Sequence, residues 1–88
     1  MYYNGQGVPQ DFKLAIKWFT LAAEQGFARA QNDLGFMYYN GQGVPQDFKA
    51  AIKWYTLAAE QGFFVAAWNL SNVQDEIRQA ELWHPTKN

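Results

Sequence analysis

The sequence predicts an all-α protein, a short α-solenoid of antiparallel helix pairs, on three observations. The first is a tandem duplication. Residues 1–27 and 37–63 differ only at Leu14/Ala50 and Phe19/Tyr55 among 27 positions, at a period of 36 residues. Fixed periods of roughly 20–50 residues mark solenoids and related arrays. The second is apolar spacing. Ala30, Leu34 and Tyr38 recur at every fourth position with Met37 beside them, which is one face of a helix. The third is punctuation, since each apolar stretch ends in Gly-rich or Gly-Phe turns.

Four helices follow, at about 11–25, 28–39, 47–61 and 64–82. Segment 11–25 repeats the pattern of 47–61. The helix over 28–39 stops at Asn40-Gly41-Gln42-Gly43, residues that tolerate the left-handed conformation of helix ends. Val44-Pro45-Gln46 is extended, and Asp47 is a good N-cap, its carboxylate accepting from orphan N–H groups. The stripe of 47–61 is Phe48, Ala51, Ile52, Tyr55, Ala58 and Ala59, widened by Trp54, and Gly62 sits at the C′ position. Phe63 follows at once, and so short a link makes neighbouring helices antiparallel. From Phe64 the stripe continues through Ala66, Leu70, Val73, Ile77 and Ala80, giving one long closing helix with an interruption expected near Asn72 and Pro85 beyond its end. Its charged face, Asp75, Glu76, Arg78 and Glu81, suits a solvent-facing cap.

Composition narrows the function. The chain has 88 residues, 49% hydrophobic and 18% aromatic, which excludes a disordered tail. A chain this short buries only about 60–65% of its unfolded surface, so its stability is marginal. A net charge of −1 gives no footprint for nucleic acid. No apolar run approaches the roughly 20 residues that span a bilayer. Without cysteine there is neither a disulfide framework nor a thiolate site. No signal peptide is visible, but Met1 opens inside the repeated motif, so a piece of a longer array is expected. The compartment stays open: cytoplasmic as the chain stands, periplasmic or secreted if a signal preceded it.

The pattern Ala30-x-x-x-Leu34-Gly35-x-x-Tyr38-x-x-Gly41-x-Gly43-Val44-x-x-Asp47-x-Lys49-Ala50-x-x-x-Trp54-x-x-x-Ala58-Ala59-x-x-Gly62 resembles the Sel1-like repeat, a cousin of the tetratricopeptide repeat. The resemblance covers roughly residues 1–70. It implies a right-handed superhelix and a scaffold role, with proteins or peptides bound on the concave side. One domain is expected, with a partial repeat at 1–27, a complete one at 28–63, and a degenerate repeat with its capping helix at 64–88. The chain departs from the family in three places. Only Met1-Tyr2-Tyr3 remains of the first repeat's first helix, Leu14 stands where a small residue is usual, and Ser71 replaces a glycine.

Two surfaces are candidates. With Leu34 centring its buried face, Asn32 and Phe36 lie nearly opposite, flanked by Arg29 and Tyr39. One period later the same phase gives Trp68 and Asn72. In the family the first helix of each repeat lines the groove, so Phe36 and Trp68 become aromatic anchors and the asparagines bond a peptide backbone. Alternatively both rings pack between helices. The second surface is Phe12, Ile16 and Phe19, uncovered where the first helix is missing, and it points to a homodimer. The other reading is a monomer in which Met1-Tyr2-Tyr3 and Leu14 close that gap.

No chemistry is assembled beside these. Gly5-Gln6-Gly7 and Gly41-Gln42-Gly43 follow helices and precede no Lys-Ser/Thr pair, so they read as turns rather than phosphate loops. The i,i+4 lysine pairs Lys13/Lys17 and Lys49/Lys53 read as solvated faces. His84 is the only histidine, so neither a metal site nor a catalytic triad is expected, and no cofactor. Some cysteine-rich relatives are associated with β-lactams, but this chain has neither their cysteines nor a Ser-x-x-Lys motif. The expectation is a protein-binding adaptor and no enzyme. The alternatives are a self-assembling structural piece and, remotely, a β-lactam binder.

Overall fold

The structure, a computed structural model, describes residues 9–82, with side chains from Phe12 onward. Among these residues there are four helices and no strand: α1 Pro9–Glu24, α2 Ala28–Asn40, α3 Phe48–Glu60 and α4 Phe64–Leu82. Each helix packs on the next, and α2 also touches α4. This is the expected all-α stack of helical hairpins. The turn at Gly5-Gln6-Gly7, Met1-Tyr2-Tyr3, the Asp11 carboxylate, His84 and Pro85 lie outside what is described.

Two boundaries differ from expectation. Helix α1 starts at Pro9 rather than residue 11. Proline is at home in a first turn, where its missing N–H has no partner to lose. Helix α4 runs unbroken through Asn72. Val73 is buried there and Ile77 half-buried against the α3 core, so packing carries the helix across the position where the twin repeat turns.

The α2–α3 turn is built by its own residues. Gly41 takes a left-handed φ of 71°, and its N–H donates to the Met37 carbonyl. The Asp47 N–H then donates to Tyr38 O at 2.9 Å, and the Gln46 side chain to Tyr39 O at 2.9 Å. Asp47 caps α3, its Oδ1 accepting from the Ala50 N–H at 3.1 Å. Gly43 is doubly constrained. Its φ is +79°, and a Cβ there would lie 2.6 Å from the Phe12 carbonyl oxygen of α1.

Two clusters form the core. Ala23, Ala30, Leu34 and Trp54 join α1, α2 and α3, with Ile16 and Phe19 packed against them. Ala51, Tyr55, Ala58, Ala66 and Val73 join α3 to α4, with Tyr39 and Phe48 alongside. Tyr38, on the expected stripe, is half-buried and packs against both. Gly35 sets the approach of α2 to α3. A Cβ on it would lie 2.8 Å from the Tyr55 ring and 3.2 Å from the Ala51 carbonyl oxygen. No described helix is long and apolar enough to cross a membrane.

Candidate functional site

The site follows from how α2 and α4 lie over α3. The side chains of Phe36 and Tyr39 on α2 face Asn69, Asn72 and Val73 on α4 across a groove of about 220 Å³, with Tyr55 of α3 as its floor. Tyr39 is fixed on two sides. Its ring stacks on Phe48 at 5.2 Å, and its hydroxyl donates to Glu76 of α4. That hydrogen bond, then burial and the Glu76 charge, raise the Tyr39 pKa above its ordinary value. Burial pushes the Tyr55 hydroxyl up to about 12, helped by Tyr39 and Asp33.

The sequence-derived residues divide. Phe36 is 49% exposed and Trp68 68% exposed. Phe36, Tyr39 and Asn72 share the groove, whereas Trp68 stands outside its lining. Arg29 is open to solvent and lies 4.0 Å from Asp33. Asp33 has a raised pKa, because its burial outweighs the Arg29 charge. Asn32 is corrected. Expected on the open face, it is only 9% exposed, and its Oδ1 accepts from Asn69 Nδ2 at 2.9 Å. A helical wheel drawn on α2 alone misses α4, which closes over that edge.

Asn69 is the residue that sequence reasoning missed. Its signal lies in the period, since it is the counterpart of Asp33 one repeat later. Gln31 was missed too. Buried, its Nε2 donates to Ala23 O at 3.1 Å and its Oε1 accepts from Gln61 at 3.0 Å, so it fastens α1, α2 and the end of α3 together.

A second groove of about 320 Å³ opens between α1 and α2, lined by Phe12, Ala15 and Phe19 with Asp33, Phe36 and Met37. Advancing Phe19, Asp33, Phe36 and Met37 by 36 residues gives Tyr55, Asn69, Asn72 and Val73, which line the first groove. The two grooves are one surface repeated along the stack. The expected self-association set lies here. Phe12 is exposed, while Ile16 and Phe19 are half-buried against the Ala30–Leu34 side of α2. Their exposure was overestimated because α2 covers that face of α1. The exposed stripe of α1 is Leu14, Trp18 and Leu21. Among the described residues no three His, Asp or Glu side chains are grouped to hold a metal.

Known proteins share this architecture. The Sel1 repeat family model matches residues 1–27 and 28–63. A Sel1 repeat protein from Oxalobacter formigenes, known from its crystal structure, is 41% identical with a TM-score of 0.69 over 73% of this chain. The match spans 26% of that longer chain. No curated protein matches the chain.

Proposed function

The chain belongs to the Sel1 repeat family, whose members are generally protein-interaction scaffolds rather than enzymes, and we propose that it binds a protein or peptide along the α2–α4 groove. The observation that carries this reading is the groove itself. It combines an exposed aromatic wall, Phe36, with the amides of Asn69 and Asn72 above a buried floor. An apolar side chain of a bound segment enters between Phe36 and Val73. The Asn72 amide has both donor and acceptor capacity for the segment's backbone. Trp68, outside the groove but on the same helix, extends the contact along α4. Arg29, exposed at the start of α2, offers a cation to an acidic flank of the ligand.

Exposed aromatics of this kind concentrate binding energy, because they remove much apolar area from water while fixing few rotors. Asn32 supports the surface indirectly by holding Asn69 in place. The adaptor role, the residues and the partner's chemistry are all part of this proposal.

The test is selection of peptides from a random displayed library, followed by NMR titration of the chain. Bound peptides are expected to shift the side-chain amides of Asn69 and Asn72 and the indole of Trp68. Phe36→Ala and Trp68→Ala are each expected to weaken binding about tenfold or more while circular dichroism stays unchanged. Peptides that shift only α1, or alanine variants that lose helicity, contradict the proposal.

A further inference from the structure

Tyr55 carries a hydroxyl that its own fold leaves unused. The residue is 1% exposed, and among the described residues its Oη takes part in no hydrogen bond. A buried donor without a partner costs more than an ordinary hydrogen bond contributes, so such a group calls for an account. The duplication supplies a control. The twin position is Phe19, one of the two places where residues 1–27 and 37–63 differ, and the difference is this one hydroxyl. Phe19 and Tyr55 hold corresponding places in the two grooves, so the ring alone suffices for packing. Neighbouring changes run the same way. Asp33 and Phe36 of the α1–α2 groove give way to Asn69 and Asn72 in the α2–α4 groove, a carboxylate and a ring to two neutral amides. The Tyr55 hydroxyl is close enough to Tyr39, on the wall of the α2–α4 groove, to feel its charge.

We propose that the Tyr55 hydroxyl selects a glutamine side chain of the bound segment, donating to its carboxamide oxygen at the floor of the α2–α4 groove. This rests on the groove reading above and specifies the side chain that enters. Its stem is apolar, because Phe36 and Val73 line the groove over Tyr55. Glutamine has a stem of two methylenes, where asparagine has one. Its tip accepts, because burial pushes the Tyr55 pKa up to about 12 and the hydroxyl keeps its proton at neutral pH. Its tip is neutral, because no Lys, Arg or His lines the groove and the Glu76 carboxylate stands against the Tyr39 hydroxyl. A carboxylate buried there without a cation is costly. The tip also donates. Asn69 gives an N–H to Asn32, while its own Oδ1 and the whole Asn72 amide have no side-chain partner among the described residues. A carboxamide supplies a neutral acceptor for Tyr55 and two N–H donors for these oxygens.

Selection of short random displayed peptides against the whole chain, and against Tyr55→Phe, tests this. Phe19 shows that the bare ring fits the twin site, so the variant is expected to keep wild-type helicity. Peptides are taken forward when they shift the side-chain amides of Asn69 and Asn72 in NMR spectra. On the wild type these are expected to share a glutamine. Exchanging it for methionine, of similar length, is expected to weaken binding about tenfold by calorimetry, and exchange for glutamate at least as much. On Tyr55→Phe the glutamine and methionine forms are expected to bind within about twofold of each other. Groove-binding peptides with no common glutamine overturn the proposal and leave the groove reading standing. So does a methionine penalty equally large on Tyr55→Phe, since the hydroxyl would then serve water alone. A library that yields no peptide at Asn69 and Asn72 removes the groove reading as well. If Tyr55→Phe loses helicity, the glutamine, methionine and glutamate peptides on the wild type decide alone.

Discussion

Helices α1 and α3 are near copies, yet the fold treats them differently. Trp18 is 60% exposed and Trp54 9%, although a lysine precedes each and an aromatic residue follows. Ala15 is half-buried where Ala51 is fully buried, and Phe19 is half-buried where Tyr55 is 1% exposed. Among the described residues, α3 has helices on both sides, whereas α1 packs mainly on α2. Local sequence makes both segments helical and amphipathic. The place in the stack decides which apolar residues become core, because burial needs a neighbour as well as a side chain.

The largest break in this symmetry is expected from truncating the two tryptophans. Trp54→Ala should cost about 3–5 kcal/mol and Trp18→Ala less than about 1 kcal/mol, measured by urea unfolding in dilute solution. Equal costs would mean that burial does not follow the stack.

The small residues sharpen the contrast. Gly35→Ala drives a methyl into the Tyr55 ring and should cost about 1–3 kcal/mol. Its twin position is Ser71, which is exposed on α4. Ser71→Gly relieves no clash and should cost up to about 1 kcal/mol through lost helix propensity. Thermal unfolding of both variants checks the pair.

A smaller effect is expected at the start of α3. Asp47→Ala removes the acceptor for the Ala50 N–H and should cost about 1 kcal/mol. Hydrogen exchange at Ala50 should speed up first, since that is the amide released.

The last prediction uses the other difference between the twins, Phe19 against Tyr55. Burial raises the Tyr55 pKa from 10.0 to about 12. The native chain therefore keeps a proton that the unfolded chain loses. The Tyr55 contribution is fully present below pH 10 and declines as the pH rises towards about 12. Tyr55→Phe should flatten that alkaline decline in a pH series of urea midpoints. A residue of it should persist from Tyr39, whose pKa is raised by its bond to Glu76.

Much of the fold was legible because its signals are local. The 36-residue period, the Gly41 and Asp47 helix boundaries and the Leu34 stripe each reside within a few neighbouring residues. What was not legible depends on distant contacts. Asn32 is closed over by Asn69, 37 residues away, and no wheel drawn on α2 contains that residue. Ile16 and Phe19 read as open because spacing within α1 does not show that α2 covers that face. The groove residues Phe36, Tyr39 and Asn72 were found by phase, while Trp68 was placed with them although it lies outside the lining. The exposed Leu14–Trp18–Leu21 stripe is legible from spacing alone.

The most direct measurement is hydroxyl-radical footprinting of the dilute, monomeric chain, reading oxidation at Trp18 and Trp54 by mass spectrometry. The two indoles share nearly the same flanking residues, so their intrinsic reactivities match and only solvent access separates them. Oxidation several-fold faster at Trp18 is the predicted result. Equal rates at the two indoles would contradict the claim that position in the stack sets what is buried.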